Sequence, residues 1–267
     1  MAPETSALYR CAYAVPVLLA LAWWEDRRFG SRPVRERRLA VPAGIFLAAD
    51  LVCWHHAIAD VGAGLATVLG NLQVVVVPFA AWAALGERVE RRILAALPLV
   101  FSGIVLISGA LEAGAYGADP ARGVLFGVLT GLTYGGFILV LRQGSADLRR
   151  PAGPLADSTL VAAVCCLAAA LVTGADIVPS WPAHAWLVLL ALTSQVLGWM
   201  LITVSLPRLP AALTSVTLTI QPVASVLLAV VLLGESPSAL QLLGVVGILG
   251  GLTTVALGRR RAAAAAA

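Results

Sequence analysis

Hydrophobic residues gather into nine long runs, near 8–24, 40–58, 63–85, 93–111, 122–141, 157–174, 184–205, 210–233 and 238–257. Each run approaches the roughly 20 residues needed to cross a hydrocarbon core about 30 Å thick. Peptide groups in lipid have no water to bond, so every backbone donor and acceptor must be satisfied inside its own segment. Each run is therefore predicted to be a helix. Short linkers between the runs hold most of the glycine, proline, aspartate and arginine. The fold class expected is an all-α polytopic membrane protein with nine transmembrane helices.

Composition agrees with the pattern. Of 267 residues, 60% are hydrophobic and 12% charged, and the mean hydropathy is +0.93. A soluble domain carries about 25% charged residues, so a surface this poor in charge needs lipid as its solvent. All 18 basic residues are arginine. They sit in short loops without aromatic interleaving, which argues against nucleic acid as a partner. Cys11, Cys53, Cys165 and Cys166 lie in apolar runs without metal or disulfide spacing and read as inert buried thiols.

Arginine placement orients the runs. Loop 25–39 contains Arg27, Arg28, Arg32, Arg35, Arg37 and Arg38, which the positive-inside rule assigns to the cytoplasm. Alternating from there, Arg88, Arg91, Arg92, Arg142, Arg149, Arg150, Arg208 and Arg259 to Arg261 are also inside. Only Arg10 and Arg122 are expected outside. The C-terminus is then cytoplasmic and the N-terminus outside, in a multi-pass protein of a bacterial inner (plasma) membrane.

The chain also resembles itself. Residues 71–87 read NLQVVVVPFAAWAALGE, and residues 219–235 read TIQPVASVLLAVVLLGE. Asp50 and Trp54 precede Gln73 as Gln195 and Trp199 precede Gln221, and Gly103 follows the first LGE as Gly251 follows the second. The first LGE is followed by arginines and the second by Ser236-Pro237-Ser238. Equivalent helices thus cross in opposite directions, which is an inverted-topology repeat. Residues 1–111 form the expected first repeat, with four helices. Residues 112–267 form the second, with five helices and a basic cytoplasmic tail.

The helix with Trp, the short outer turn, and the helix with Gln and then LGE resemble EamA-type members of the drug/metabolite transporter superfamily. LVCWHHAIADVGAGLATVLGNLQ and TLTIQPVASVLLAVVLLGESPSALQLLGVVGILGG carry most of the likeness. The resemblance implies ten helices in a five-plus-five arrangement, and transport of a small metabolite. The family's first helix has no counterpart here. Either the start is assigned too far downstream or nine helices are genuine.

Asp50 is the sharpest candidate for chemistry, because a charge at mid-membrane costs roughly 2.5–3.5 kcal/mol on insertion scales and faces a cavity or a partner. Trp54, one turn on, shares its face. Gln195 and Trp199 mirror the pair and are expected to line the other side of a central cavity. Asn71, Gln73, Thr217, Gln221 and Tyr134 complete the expected substrate site, with Thr214 and Thr219 as weaker members. Asp50 and His55 are candidates for proton coupling, since imidazole titrates near neutral pH; the alternative for His55 and His56 is bonding between helices. Glu87 and Glu235 are expected to act as turn anchors, with Ser236 and Pro237 as N-cap and first residue of the next helix. Gly123, Gly127 and Gly131, and Gly247 and Gly251, are expected packing faces.

The function expected is a transporter of an amino-acid-like or other polar or amphipathic solute, in the direction of efflux, working by alternating access without a cofactor or metal. Its partners are that solute, the bilayer and, as an option, a second copy in a homodimer. Two alternatives stand beside it. One is a non-transporting interaction subunit. The other is an intramembrane enzyme, for which no HExxH, paired aspartates or nucleophile elbow is found.

Overall fold

A computed structural model describes residues 1–85, 89, 91–145, 147–178, 181–205 and 211–265. Among them, all regular structure is helical, and it falls into nine helical segments. The helices are α1 (Pro3–Phe29), α2 (Val34–Val61), α3 (Ala63–Gly70), α4 (Gln73–Leu85), α5 (Arg91–Ile107) and α6 (Pro120–Gly144). They continue with α7 (Ala152–Thr173), α8 (Ala183–Leu190), α9 (Trp199–Ser205), α10 (Ala211–Leu233) and α11 (Ala239–Ala265). Five segments are long and apolar enough to cross a membrane: α1, α2, α6, α7 and the continuous stretch Ala183–Val204. Shorter apolar helices cover Ala63–Phe79, Ile93–Ile107, Ile220–Leu233 and Ala239–Thr254.

Two of the expected segments are not uniform helices. The run 63–85 breaks at Asn71 and Leu72, between α3 and α4. There Leu72 N–H bonds the Leu69 carbonyl three residues back, at 3.0 Å. The Asn71 side-chain amide donates to the Thr67 carbonyl at 2.8 Å, a local bond of the kind that competes with the helical ladder. The run 184–205 is continuous but widens into a π-helical turn over Ala191–Gly198, between α8 and α9. Such turns add one residue to the loop of each backbone bond and often mark functional positions. Gln195 lies inside it.

The chain divides into two compact units. Unit 1 is Met1–His55 with Gly136–Arg208, and unit 2 is His56–Gly135 with Leu209–Ala267. Each unit draws on both ends of the sequence, so a compact unit is not the same thing as a sequence repeat. In unit 1, α1 packs along α7 and against α8 and the π-helical turn. In unit 2, α5 packs along α11, and α10 against α3 and α11.

Each unit is tied together by a buried glutamate. In unit 1, Glu25 accepts from the Ala152 and Gly153 N–H groups at 2.9 and 3.0 Å, capping the start of α7. In unit 2, Glu235 accepts from the Ala63 and Gly64 N–H groups at 2.6 and 3.2 Å, capping the start of α3. A helix begins with unbonded N–H groups and partial positive charge, and a carboxylate answers both. Gly62, at φ +87°, is the residue that lets Glu235 in: a Cβ there would lie 2.7 Å from the carboxyl carbon. Glu87, the matching residue of the first LGE, lies outside the described residues.

The start of α11 corrects one expectation. Ser238, not Ser236, caps it: Ser238 Oγ accepts from Gln241 N–H at 3.1 Å, and Gln241 Oε1 accepts from Ser238 N–H at 3.0 Å. This reciprocal box needs a Gln or Glu three residues after the cap, and only Ser238 has Gln241 at that distance. Gln241 also accepts from Tyr116 N–H at 2.9 Å and donates to the Tyr116 carbonyl at 2.9 Å.

Small residues provide the close approaches in unit 2. A Cβ on Gly103 would sit 2.6 Å from the Gly244 carbonyl oxygen, and one on Gly244 would sit 2.7 Å from the Gly103 carbonyl oxygen. Gly123, Gly127 and Gly131 on α6 meet Val61, Leu69 and Leu72. Backbones in contact at this range are characteristic of membrane helix packing.

Candidate functional site

The site is built from α1 upward. Arg10 lies in the third turn of α1 with 7% of its surface exposed. A guanidinium cannot lose its charge, so burial among apolar helices demands partners. Arg10 Nε donates to Gln195 Oε1 at 3.2 Å, and Nη2 donates to Ser194 Oγ at 3.0 Å. Its guanidinium carbon also lies 5.4 Å from the centre of the Trp54 ring, within cation–π range. Gln195 is fully buried and passes the network on, donating from Nε2 to Thr159 Oγ1 at 3.3 Å. Asp50 is 8% exposed, and Arg10 is the cation whose field acts on it.

Four helical elements thus converge on one polar cluster: Arg10 from α1, Asp50 and Trp54 from α2, Thr159 from α7, and Ser194 and Gln195 from the π-helical turn. The widened turn is what presents adjacent residues 194 and 195 to the same guanidinium. Trp199 is buried one turn further on and meets Phe137 edge to face, with ring centres 5.1 Å apart. Asp50, Trp54, Gln195 and Trp199 all belong to unit 1. Gln195 and Trp199 are expected across a cavity from Asp50 and Trp54; all four stand in unit 1, where Arg10 links Trp54 to Gln195.

The other expected site residues fall elsewhere. His55 Nδ1 donates to the Leu51 carbonyl at 2.7 Å, one turn back on its own helix, and its ring lies edge-on to Trp54. His56, in unit 2, stacks on Phe126 with ring centres 4.6 Å apart. In unit 2, Asn71 and Gln73 are buried beside the α3–α4 break. Gln73 Oε1 and Thr130 Oγ1 find no hydrogen-bond partner among the described residues. Tyr134 is half-buried, and Gln221 is exposed on α10. The matched amides Gln73 and Gln221 therefore occupy different environments. The side chains of Thr214, Thr217 and Thr219 lie outside the described residues. An apolar groove between α10 and α11, lined by Ile220, Val223, Ala224, Leu227, Leu249 and Thr253, includes none of the expected site residues.

Arg10, Thr159 and Ser194 are the members that sequence reasoning missed. Arg10 had a legible signal, a lone arginine inside an apolar run, which marks a functional position in a membrane helix. The positive-inside pattern reads it as a topology marker instead. Thr159 and Ser194 carry no such signal, because hydroxyl residues are common in membrane helices and bond their own backbone.

Comparison with known proteins places this architecture. The model of the EamA-like transporter family matches residues 1–109 and 121–257, nearly the whole chain in two segments. The chain belongs to that family and is a multi-pass membrane protein of the transporter class. Twenty-two chains of solved structures match its fold. One, a crystal structure of a protein, aligns over 98% of this chain and 89% of its own with a TM-score of 0.61 and 17% identity, a likeness of fold alone. No curated protein matches.

Proposed function

We propose that this protein carries a small polar or amphipathic solute, amino-acid-like, across a bacterial inner membrane, in the direction of efflux. The observation that supports this reading is the buried polar cluster of unit 1. An aspartate, a glutamine and a tryptophan gathered in membrane-spanning helices are costly unless they serve a ligand or a pathway. Asp50, Trp54, Gln195 and Trp199 are the proposed core of the substrate site. The cycle is alternating access, driven by exchange between two inverted repeats. Asp50 binds and releases the coupling proton, with His55 next along the helix as its relay. The C-terminus is cytoplasmic, the solute needs no cofactor, and a homodimer is the assembly to look for.

Transport into reconstituted vesicles tests the reading. Wild-type protein should move at least one labelled solute of a broad metabolite panel, faster with an imposed pH gradient. Asp50→Asn should abolish the dependence on the gradient. A panel on which wild type never exceeds empty vesicles contradicts the reading, and transport indifferent to pH removes the proton from it.

A further inference from the structure

The outward side of α1 changes chemistry in a fixed order along its last three turns. Its inward side holds Leu18, Ala22 and Glu25, each at most 7% exposed, where α1 packs along α7. On the outward side Leu19 is 40% exposed, Trp23 57% and Trp24 53%, and Arg27 and Arg28 beyond them are exposed too. Leu19, Trp23 and Arg27 follow one another at four-residue spacing, so they share one face of the helix. At 1.5 Å per residue, that face passes from alkyl to indole to guanidinium over about 12 Å.

Each tryptophan carries an arginine. The Arg27 guanidinium carbon lies 4.1 Å from the centre of the Trp23 ring, and that of Arg28 lies 5.4 Å from the Trp24 ring, within cation–π range. Stacking uses the flat face of a guanidinium and leaves its N–H edges for another acceptor. Among the described residues, neither Arg27 nor Arg28 makes a hydrogen bond or an ion pair. The neighbouring acids are committed elsewhere: Glu25 caps α7, and Asp26 accepts from Arg37 at 3.0 Å. That Arg37 bond ties the start of α2 back to α1 and brings with it the exposed Arg35 and Arg38.

An arginine in the last turn of a helix complements the helix dipole by itself. The dipole does not explain a half-exposed tryptophan beneath each of two neighbouring arginines at the end of a membrane-spanning helix. Tryptophan favours the membrane–water boundary, the fork of a guanidinium matches phosphate oxygens, and an alkyl face suits acyl chains. That sequence of chemistries is the sequence along a phospholipid.

We propose that the pairs Trp23–Arg27 and Trp24–Arg28 form a site for the phosphate of an anionic phospholipid, whose chains lie along the Leu19 face. A zwitterionic lipid carries the same phosphate with an ammonium that offsets it, so the site selects a net negative headgroup. Arg35 and Arg38 strengthen the attracting field. The site is separate from the polar cluster at Gln195 and stands whatever solute the protein carries.

The test uses the full chain in phosphatidylcholine membranes into which phosphatidylglycerol brominated on its chains is titrated, with brominated phosphatidylcholine as the reference. Bromine quenches tryptophan on contact, and the part of the quenching missing from a Trp23→Phe, Trp24→Phe double variant reports the site. Wild type should favour phosphatidylglycerol there by about tenfold or more, since each arginine at a membrane surface contributes about fivefold. Arg27→Gln and Arg28→Gln should each lower the preference by about fivefold. Arg27→Lys, which keeps the charge and loses the fork, should fall between wild type and Arg27→Gln. Arg149→Gln removes an exposed arginine that Asp147 already holds, and it should change the preference by less than about twofold.

Equal quenching by the two lipids, or a preference that survives in both glutamine variants, overturns the proposal. A preference that Arg149→Gln lowers as much as Arg27→Gln also overturns it, because the attraction then belongs to the net charge of the surface. Glycerol phosphate, the headgroup chemistry without chains, should leave the quenching unchanged at millimolar concentration. Displacement of the lipid by it overturns the lipid assignment in favour of a soluble phosphate.

Discussion

Units 1 and 2 use the same device to hold themselves together and then diverge. In each, a buried glutamate reaches a helix start far away in sequence, Glu25 to α7 and Glu235 to α3. Beyond that, both units bring helices together at glycines, Gly44 against Ser158 in unit 1 and Gly103 against Gly244 in unit 2, and unit 1 adds a polar cluster around Arg10 and Gln195. The strong ion pair of unit 2, Arg122 with Asp60 at 2.9 Å from Nε to Oδ2, stands at the first turn of α6, and its arginine is exposed. Capping is thus the shared structural role of the acidic residues. The charge buried within helices of unit 1 is the feature that capping does not explain.

The comparison can be broken in several ways, and the largest effect should be on transport. Trp54→Ala and Asp50→Asn in unit 1 should each lower initial transport rates by about tenfold or more, the cost of losing one substrate contact worth about 1.4 kcal/mol. Gln221→Ala in unit 2, at an exposed site, should stay within about twofold in the same vesicle assay. If Gln221→Ala proves as damaging as Trp54→Ala, the division of labour is wrong.

Stability comes next. Gly103→Leu puts side-chain atoms where the Gly244 backbone already stands, and overpacking of this kind costs about 1–3 kcal/mol. Thermal unfolding in detergent should show a clear loss, with Gly144→Ala, where an added Cβ meets nothing nearer than 3.6 Å, changing it much less. Removing either cap, as Glu25→Ala or Glu235→Ala, should cost a similar or slightly smaller amount, about 1–2 kcal/mol. The two losses should be alike despite the different interiors. A cap that could be deleted without effect in only one unit would show that the shared device is not shared in energy.

The smallest effect belongs to the loop before α7. Arg149 bonds Asp147 at 2.9 Å and, with its backbone N–H, holds that carboxyl down to about 2, below its ordinary 3.8. A carboxyl lowered on folding contributes its stability above its unfolded value and loses it as pH falls toward the folded one. No change in melting from this pair is therefore expected between about pH 5 and 8. Asp147→Asn should shift melting little at neutral pH, since exposed pairs are screened by solvent.

Much of the fold was legible because hydropathy reports length, and lipid permits only helices of sufficient length. The nine runs coincide with the nine helical segments for that reason. The break at Asn71 and the widening around Gln195 were not legible, since both arise from which carbonyl each N–H selects within a run that is apolar throughout. Asp50, Trp54 and Gln195 could be picked out as polar or aromatic residues at matched positions. Their meeting within one unit could not, because it depends on Arg10, whose sequence signal serves equally to orient the helices in the membrane. Glu235 was legible as an anchor at a boundary, but its target, the start of α3, is 171 residues away and leaves no mark near it. Gln73 is buried and Gln221 exposed, a difference that matching in sequence does not reveal, because it does not fix which face of a helix is covered.

The most direct test of the central claim, that the polar cluster of unit 1 is where solute binds, is transport by wild type and Asp50→Asn in vesicles beside melting of both proteins in the same lipid. The account predicts a fall of about tenfold or more in transport with melting unchanged to within a few degrees. Full transport by a normally folded Asp50→Asn protein would contradict it, and the polar cluster would then be structure alone.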